Sequence, residues 1–380
     1  MPQSTHPDLR PMPDEIAEKR RQLVALCNAE DLAAVLLTQE SSVAWATGGG
    51  ATRVAVGGGD ASAAMLVTRA GEAFVLADAI EAPRIAAEEM PAQDVHIRVS
   101  PWEADRAALR AARVREIIGD GIVGTDGSRA TLPHARTVAS QVRALRSSLT
   151  EAEIVRYRWL AQTTARILEA ATRTVTPGMT EHAIAASFVG PLVAAGIQVP
   201  VALVATDARV PMYRHPLPTE QVMQKHALLI VTAMRWGLHA SVSRAVYFGA
   251  VPNSLRQRHE ACVAVDEAYI TDTHVGATGA DIFAAGAAAY SARGFDGEWR
   301  LHHQGGATGY AGREWMITPT TTERVQARQA FAYNPSVSGA KSEDTFVLDA
   351  NGIPDFLTVT GEWPKVPGAY AYPRPAILER

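Results

Sequence analysis

Cysteine is almost missing from this chain of 380 residues: only Cys27 and Cys262 are present. Both fall in helix-like stretches, which excludes a disulfide framework. No basic block interrupts a formal net charge of -4, so the electrostatic footprint of a nucleic-acid binder is missing. No uninterrupted apolar run approaches the roughly 20 residues that a membrane span requires. The opening MPQSTHPDLRPMPDEIAEKRRQ lacks the apolar core of a secretory signal. No repeat of solenoid period is visible. These absences leave a cytoplasmic protein as the expectation, with neither membrane nor nucleic acid as partner. What is present is a mixture of 47% hydrophobic and 20% charged residues, the balance of an ordinary folded protein. The length allows two domains, each with a core of its own.

Patterning divides the chain near residue 146. Residues 14–28 are amphipathic with helical spacing, LAAVLLT (32–38) reads as a buried strand, and SSVAWATGGGATRVAVGGGD (41–60) as a glycine-rich loop. AAMLVTRAGEAFVLAD reads as two strands about an Ala-Gly turn, and helix and strand signals then alternate to about residue 140. This first part, 1–146, is an α/β half. The second, 147–380, opens with Thr150 and Glu153 spaced as a capping box before a long helix. Strands are expected at VALVAT, ALLIVTAMRW and HASVSRAVYFG, and helices at NSLRQRHEACVAVDEAYITDTH and GADIFAAGAAAYSARG. Strands at QAFAYNPSVSG, EDTFVLDANG and IPDFLTVTG close the chain, with Ala-Asn-Gly (350–352) as a hairpin turn. The fold class is therefore mixed α/β (α+β) in two domains.

Six segments in order carry a resemblance: TEAEI (150–154), PGMTE (177–181), HPLPT (215–219), GLHASVSRAVYFG (237–249), HHQGGATGY (302–310) and SEDTFVLDANG (342–352). Together they resemble the creatinase and methionine-aminopeptidase superfamily, whose catalytic half has the pita-bread fold. The resemblance implies a curved antiparallel sheet flanked by helices about a central pocket. It also implies a homodimer in which the N-terminal half reaches the partner's pocket.

The metal-binding members of that superfamily use two Asp, one His and two Glu. Aligned on Arg244, those positions fall on Ile230 (Val231 with a slip of one), Ser241, Gly306, Asn334 and Glu343. Only Glu343 is a carboxylate. A divalent ion needs several charged or imidazole donors, so no dinuclear site, and no metal or other cofactor, is expected. Creatinase, the metal-free branch, uses a histidine with two carboxylates. The histidine corresponds to His215, but the carboxylates fall on Ser243 and Asn334.

The chemistry that remains is that of imidazole, guanidinium and one acid. His215, in a polar loop, is a candidate acid–base group, since imidazole titrates near neutrality. Glu343 is the candidate base. His302 and His303 are further catalytic candidates. In a strand they would point to opposite faces, so only one of them would face the pocket. Arg313, where the family has a second substrate histidine, would hold a carboxylate or phosphate; its plain alternative is an ion pair with Glu314. Tyr310, Ser241, Ser243, Asn334 and Arg244 would line the pocket, although Arg244 also suits a structural role. Trp45 and Arg53 bracket the glycine loop and would serve a neighbouring pocket or the dimer contact. The expected function is metal-independent hydrolysis of a C–N bond in a small polar nitrogen-containing molecule. Elimination or isomerisation, a noncatalytic peptide-binding role, and a peptidase with unusual metal ligands are the alternatives.

Overall fold

A computed structural model describes residues 9, 13–56, 59–90, 93–127, 132, 134–368 and 370–380. Half of the opening segment that was read for a signal sequence (1–8 and 10–12) lies outside them. Two compact units emerge. One comprises residues 1–146 with 150–156 and 236–238; the other comprises 147–149, 157–235 and 239–380.

The first unit is built on a six-stranded sheet. Its strands run in the spatial order His96–Ser100, Ala73–Asp78, Asp60–Thr68, Ala34–Gln39, Val123–Thr125, Ala135–Thr137. Ala34–Gln39 pairs antiparallel with Asp60–Thr68 and parallel with Val123–Thr125. The central strands are apolar at successive positions because both faces are covered. Leu36, Leu66 and Phe74 pack with Val114 on one side, and Ala63 and Val75 pack with Ile85 on the other. The glycine-rich segment is not all loop: Glu40–Ala46 is a helix. Its apolar Val43, Ala44 and Trp45 are buried, and that burial outweighs the glycine run that follows.

The second unit holds a four-stranded sheet ordered Leu378–Glu379, Leu238–Tyr247, His226–Arg235, Gln198–Thr206. It also holds a five-stranded sheet ordered Trp315–Met316, Gly305–Thr308, Ala330–Tyr333, Asp344–Leu348, Pro354–Phe356. Helices Asn253–Asp272 and Gly279–Ala292 supply Cys262, Tyr269, Ile282 and Tyr290 to a core completed by Phe331, Tyr333 and Phe346 of the larger sheet. The two sheets meet where the Ser241 N–H donates to Thr345 Oγ1 (2.9 Å) and the Ser243 N–H donates to the Glu343 carbonyl (3.1 Å). The long helix Glu151–Thr174 begins as its cap predicts. Glu153 accepts the Thr150 N–H at 2.7 Å, and Thr150 Oγ1 accepts the Glu153 N–H at 3.2 Å. Both cysteines are buried free thiols.

Candidate functional site

Residues 340–345 form one extended stretch whose side chains alternate between two environments, as a period of two requires. Ser342 and Asp344 face a rear network. Ser342 donates to Asp266 at 2.6 Å, and Arg374 pairs with Asp266 at 2.7 Å and with Asp344 at 3.3 Å. Arg244 belongs to the same network: it reaches Glu169 at 2.9 Å, Asp344 at 3.1 Å and the carbonyls of Ser243 (2.8 Å) and Thr358 (3.2 Å). Its donors are thus engaged, in keeping with a structural role.

Lys341 and Glu343 face the other way. Lys341 Nζ lies 3.5 Å from Glu343 Oε2, and Arg313 Nη2 lies 3.8 Å from Glu343 Oε1. Lys341 and Glu343 are buried and Arg313 is largely so. Three imidazoles complete the group. His302 Nε2 sits 3.0 Å from His215 Nε2, while His303 stacks on His302 with ring centroids 4.5 Å apart and lies 5.5 Å from His215. His302 is buried, whereas His215 and His303 are open to solvent. All three are held below the usual imidazole value, His303 at about 4. Burial is the main cause. The positive charge of Lys341 adds to it for all three and that of Arg313 for His215 and His303, while for His215 the Glu343 carboxylate partly opposes them. At neutral pH the imidazoles are uncharged.

The expectation that only one of His302 and His303 would face the site is therefore corrected. Neither lies in a strand. They follow the short helix Glu298–Leu301 and precede Gly305–Thr308, which frees both rings to turn toward His215. Arg313 does not complete a tight pair with a neighbouring acid. It donates to the Gly312 carbonyl at 2.6 Å, and its Nε, though buried, meets no acceptor. Glu314 instead accepts the Ala311 N–H at 3.1 Å.

Of the other candidates, Ser241 Oγ exchanges a 2.9 Å hydrogen bond with Thr232, and Ser243 is buried beside Glu343 through the backbone. Asn334 is buried with Oδ1 unsatisfied by protein, and Tyr310 is buried. Trp45 is 1% exposed and Arg53 pairs with Glu40, so both are occupied within their own unit. Sequence reasoning missed Lys341. It falls between the strands expected at 329–339 and 343–352, where nothing in the sequence signalled it.

The residues at the family's metal positions do not fit two divalent ions. Ile230 is a buried aliphatic, Ser241 is taken by Thr232, and Gly306 has no side chain. Nor does Gly306 have room for one. It sits at φ +149°, where a Cβ would come 2.3 Å from the Trp315 carbonyl oxygen. The three histidines present ring nitrogens within 4.8 Å of one another, a spacing that suits a single ion. Their charged neighbours oppose it, since Lys341, Arg313 and Arg214 all act on His215, His302 or His303 as positive charges.

The sequence pattern described as metallopeptidase family M24 matches residues 156–350, and that of the creatinase/prolidase N-terminal domain matches residues 19–160. The chain belongs to the M24 family and has its two-domain, creatinase-like architecture. No curated protein sequence matches it. Among solved structures it is similar to the prolidase of Pyrococcus horikoshii OT3 (16% identity, 90% of this chain and 98% of that one, TM-score 0.74). It is also similar to dipeptidase PepE of Mycobacterium ulcerans (18%, 97% and 99%, 0.77). The N-terminal domain of the FACT complex subunit SPT16 from Cicer arietinum shares the fold as well (13%, 93% and 97%, 0.67). At these identities the likeness is one of fold.

Proposed function

We propose that this chain is a hydrolase that opens a C–N bond of a small polar nitrogen-containing substrate without metal ions, using Glu343 as base and the His215–His302 pair to carry the proton. The observation that carries this reading is the crowding of the one remaining carboxylate by Lys341 at 3.5 Å and Arg313 at 3.8 Å, charges that disfavour a divalent ion. In the reaction, Glu343 takes a proton from water while the water oxygen bonds to the carbon attached to nitrogen. Collapse of the adduct breaks the C–N bond, and the leaving nitrogen receives a proton relayed through the neutral imidazoles. A polar cluster with two solvent-accessible histidines supports a working site over a relic filled with apolar side chains. A His/Glu pair also suits elimination or isomerisation, which the product of the assay distinguishes.

We place the protein in the cytoplasm as a homodimer. Among the described residues no helix is long and apolar enough to cross a membrane. Met212, Tyr213, Leu217 and Leu301, within a few residues of His215 or His302, are exposed apolar groups that a second copy would cover.

The test is turnover of a panel of small amides, amidines and cyclic amino-acid derivatives by protein dialysed against chelator, with metal content measured alongside. Amine or ammonia release should persist without metal. His215→Ala and Glu343→Gln should each lower it by about 10²-fold or more. Turnover that depends on added manganese or zinc, or that is unchanged in both variants, refutes the assignment.

A further inference from the structure

We infer that Lys341 and Arg313 are tethered cations standing in for metal ions beside Glu343, and that together they receive an oxyanion: a carboxylate, or the alkoxide that develops on a carbonyl under attack. This deepens the hydrolase reading and rests on it for its catalytic half only; the binding half stands alone.

The contrast between the two sides of residues 340–345 carries the inference. On the rear side each of the two buried arginines has at least one close acid, Arg244 with Glu169 at 2.9 Å and Arg374 with Asp266 at 2.7 Å, although Arg374 Nη2 and Asp344 Oδ2, 3.3 Å apart, also lack a hydrogen-bond partner. On the front side the contacts are looser. Lys341 and Arg313 approach different oxygens of one carboxylate at 3.5 and 3.8 Å, beyond the length of a good charge-assisted hydrogen bond. Arg313 Nε is buried without an acceptor, and Glu343 Oε2 is buried without a hydrogen-bond donor. Two basic groups, both with pKa lowered by burial and held up by the Glu343 carboxylate, thus face one acid, with three neutral imidazoles around them. A buried excess of positive charge calls for an anion. A planar guanidinium fork beside a compact ammonium suits a carboxylate or a tetrahedral oxyanion. His215 and His303, both exposed, mark the side from which such a ligand enters.

The experiment uses the full chain with acetate and inorganic phosphate as probes, followed by calorimetry and by the ring resonances of isotope-labelled histidines. Both anions should shift the histidine signals in the wild type. Lys341→Met should weaken acetate binding about tenfold, while Lys341→Arg, which keeps the charge, should hold it within about threefold. Should the methionine variant fail to fold, Arg313→Met against Arg313→Lys supplies the same comparison of charge lost with charge kept. Equal binding by the wild type and Lys341→Met overturns the inference. So does stoichiometric uptake of manganese or zinc by the wild type at Glu343. Acetate binding that depends on Lys341, in a chain that hydrolyses nothing in the panel, sustains this inference and sinks the hydrolase reading. Turnover that is indifferent to both Lys341→Met and acetate does the reverse.

Discussion

Replacing Gly306 by alanine adds one methyl group to the position that the sequence resemblance aligns with a metal-binding histidine, and the structure sets its cost. The new Cβ would lie 2.3 Å from the Trp315 carbonyl oxygen and 2.9 Å from Met316 Cα, on a residue at φ +149°. Both obstacles are backbone of the neighbouring strand, which pairs at Gly306–Met316, so no flexible side chain can yield. Holding a non-glycine residue in such a conformation costs about 1–3 kcal/mol, and overpacking adds a similar amount. The sum, about 4 kcal/mol, lowers the melting temperature by roughly 10 °C for a unit of this size. Gly190 is the control. It lies inside helix Glu181–Ala194 with nothing within 4 Å of an added Cβ. There alanine should stabilise by about 0.8 kcal/mol through helix propensity. Urea unfolding of the two variants against the wild type measures both signs. A Gly306→Ala protein within about 1 kcal/mol of the wild type would show that the backbone does not bar the histidine, and the steric argument would fall.

Acid should destabilise the fold through His226 and His259, each held at about 4 by burial. The unfolded chain takes up protons below about pH 6.5 while these buried rings do not, so stability falls as the pH drops from 6.5 toward 4. The loss is about 2 kcal/mol per ring at pH 5. Urea unfolding at pH 7 and pH 5 should show it, and His259→Asn should remove about 2 kcal/mol of the difference. Arg244→Met leaves Glu169 and Asp344 buried beside a missing cation and should cost about 3–5 kcal/mol in the same assay. Arg158→Ala, which breaks the exposed pair with Asp355, should cost less than about 1 kcal/mol.

The sequence disclosed most of the fold because its signals were local and mutually consistent. The Thr150 cap, the Ala-Gly turn between two strands and the apolar spacing of 253–272 each specify an element without help from the rest of the chain. The candidate site was legible in part. His215, Glu343 and Arg313 could be placed by resemblance, and the structure brings them together with both histidines. The orientation of His302 and His303 was not legible, because it depends on where the strand begins, and Gly305–Gly306 delays that start. Helix Glu40–Ala46 was hidden by the glycines after it. Lys341 was overlooked because a lysine beside a strand is ordinarily solvated; only its burial against Glu343 marks it out.

The alternation along residues 341–344 couples chemistry to masonry. Glu343 immediately precedes the strand Asp344–Leu348, whose first residue is anchored from behind by Arg244 and Arg374. Substitutions at Asp266 or Arg374 would therefore masquerade as active-site lesions in any mutational screen. The reach of the proposed site extends one layer deeper than the side chains a ligand could touch.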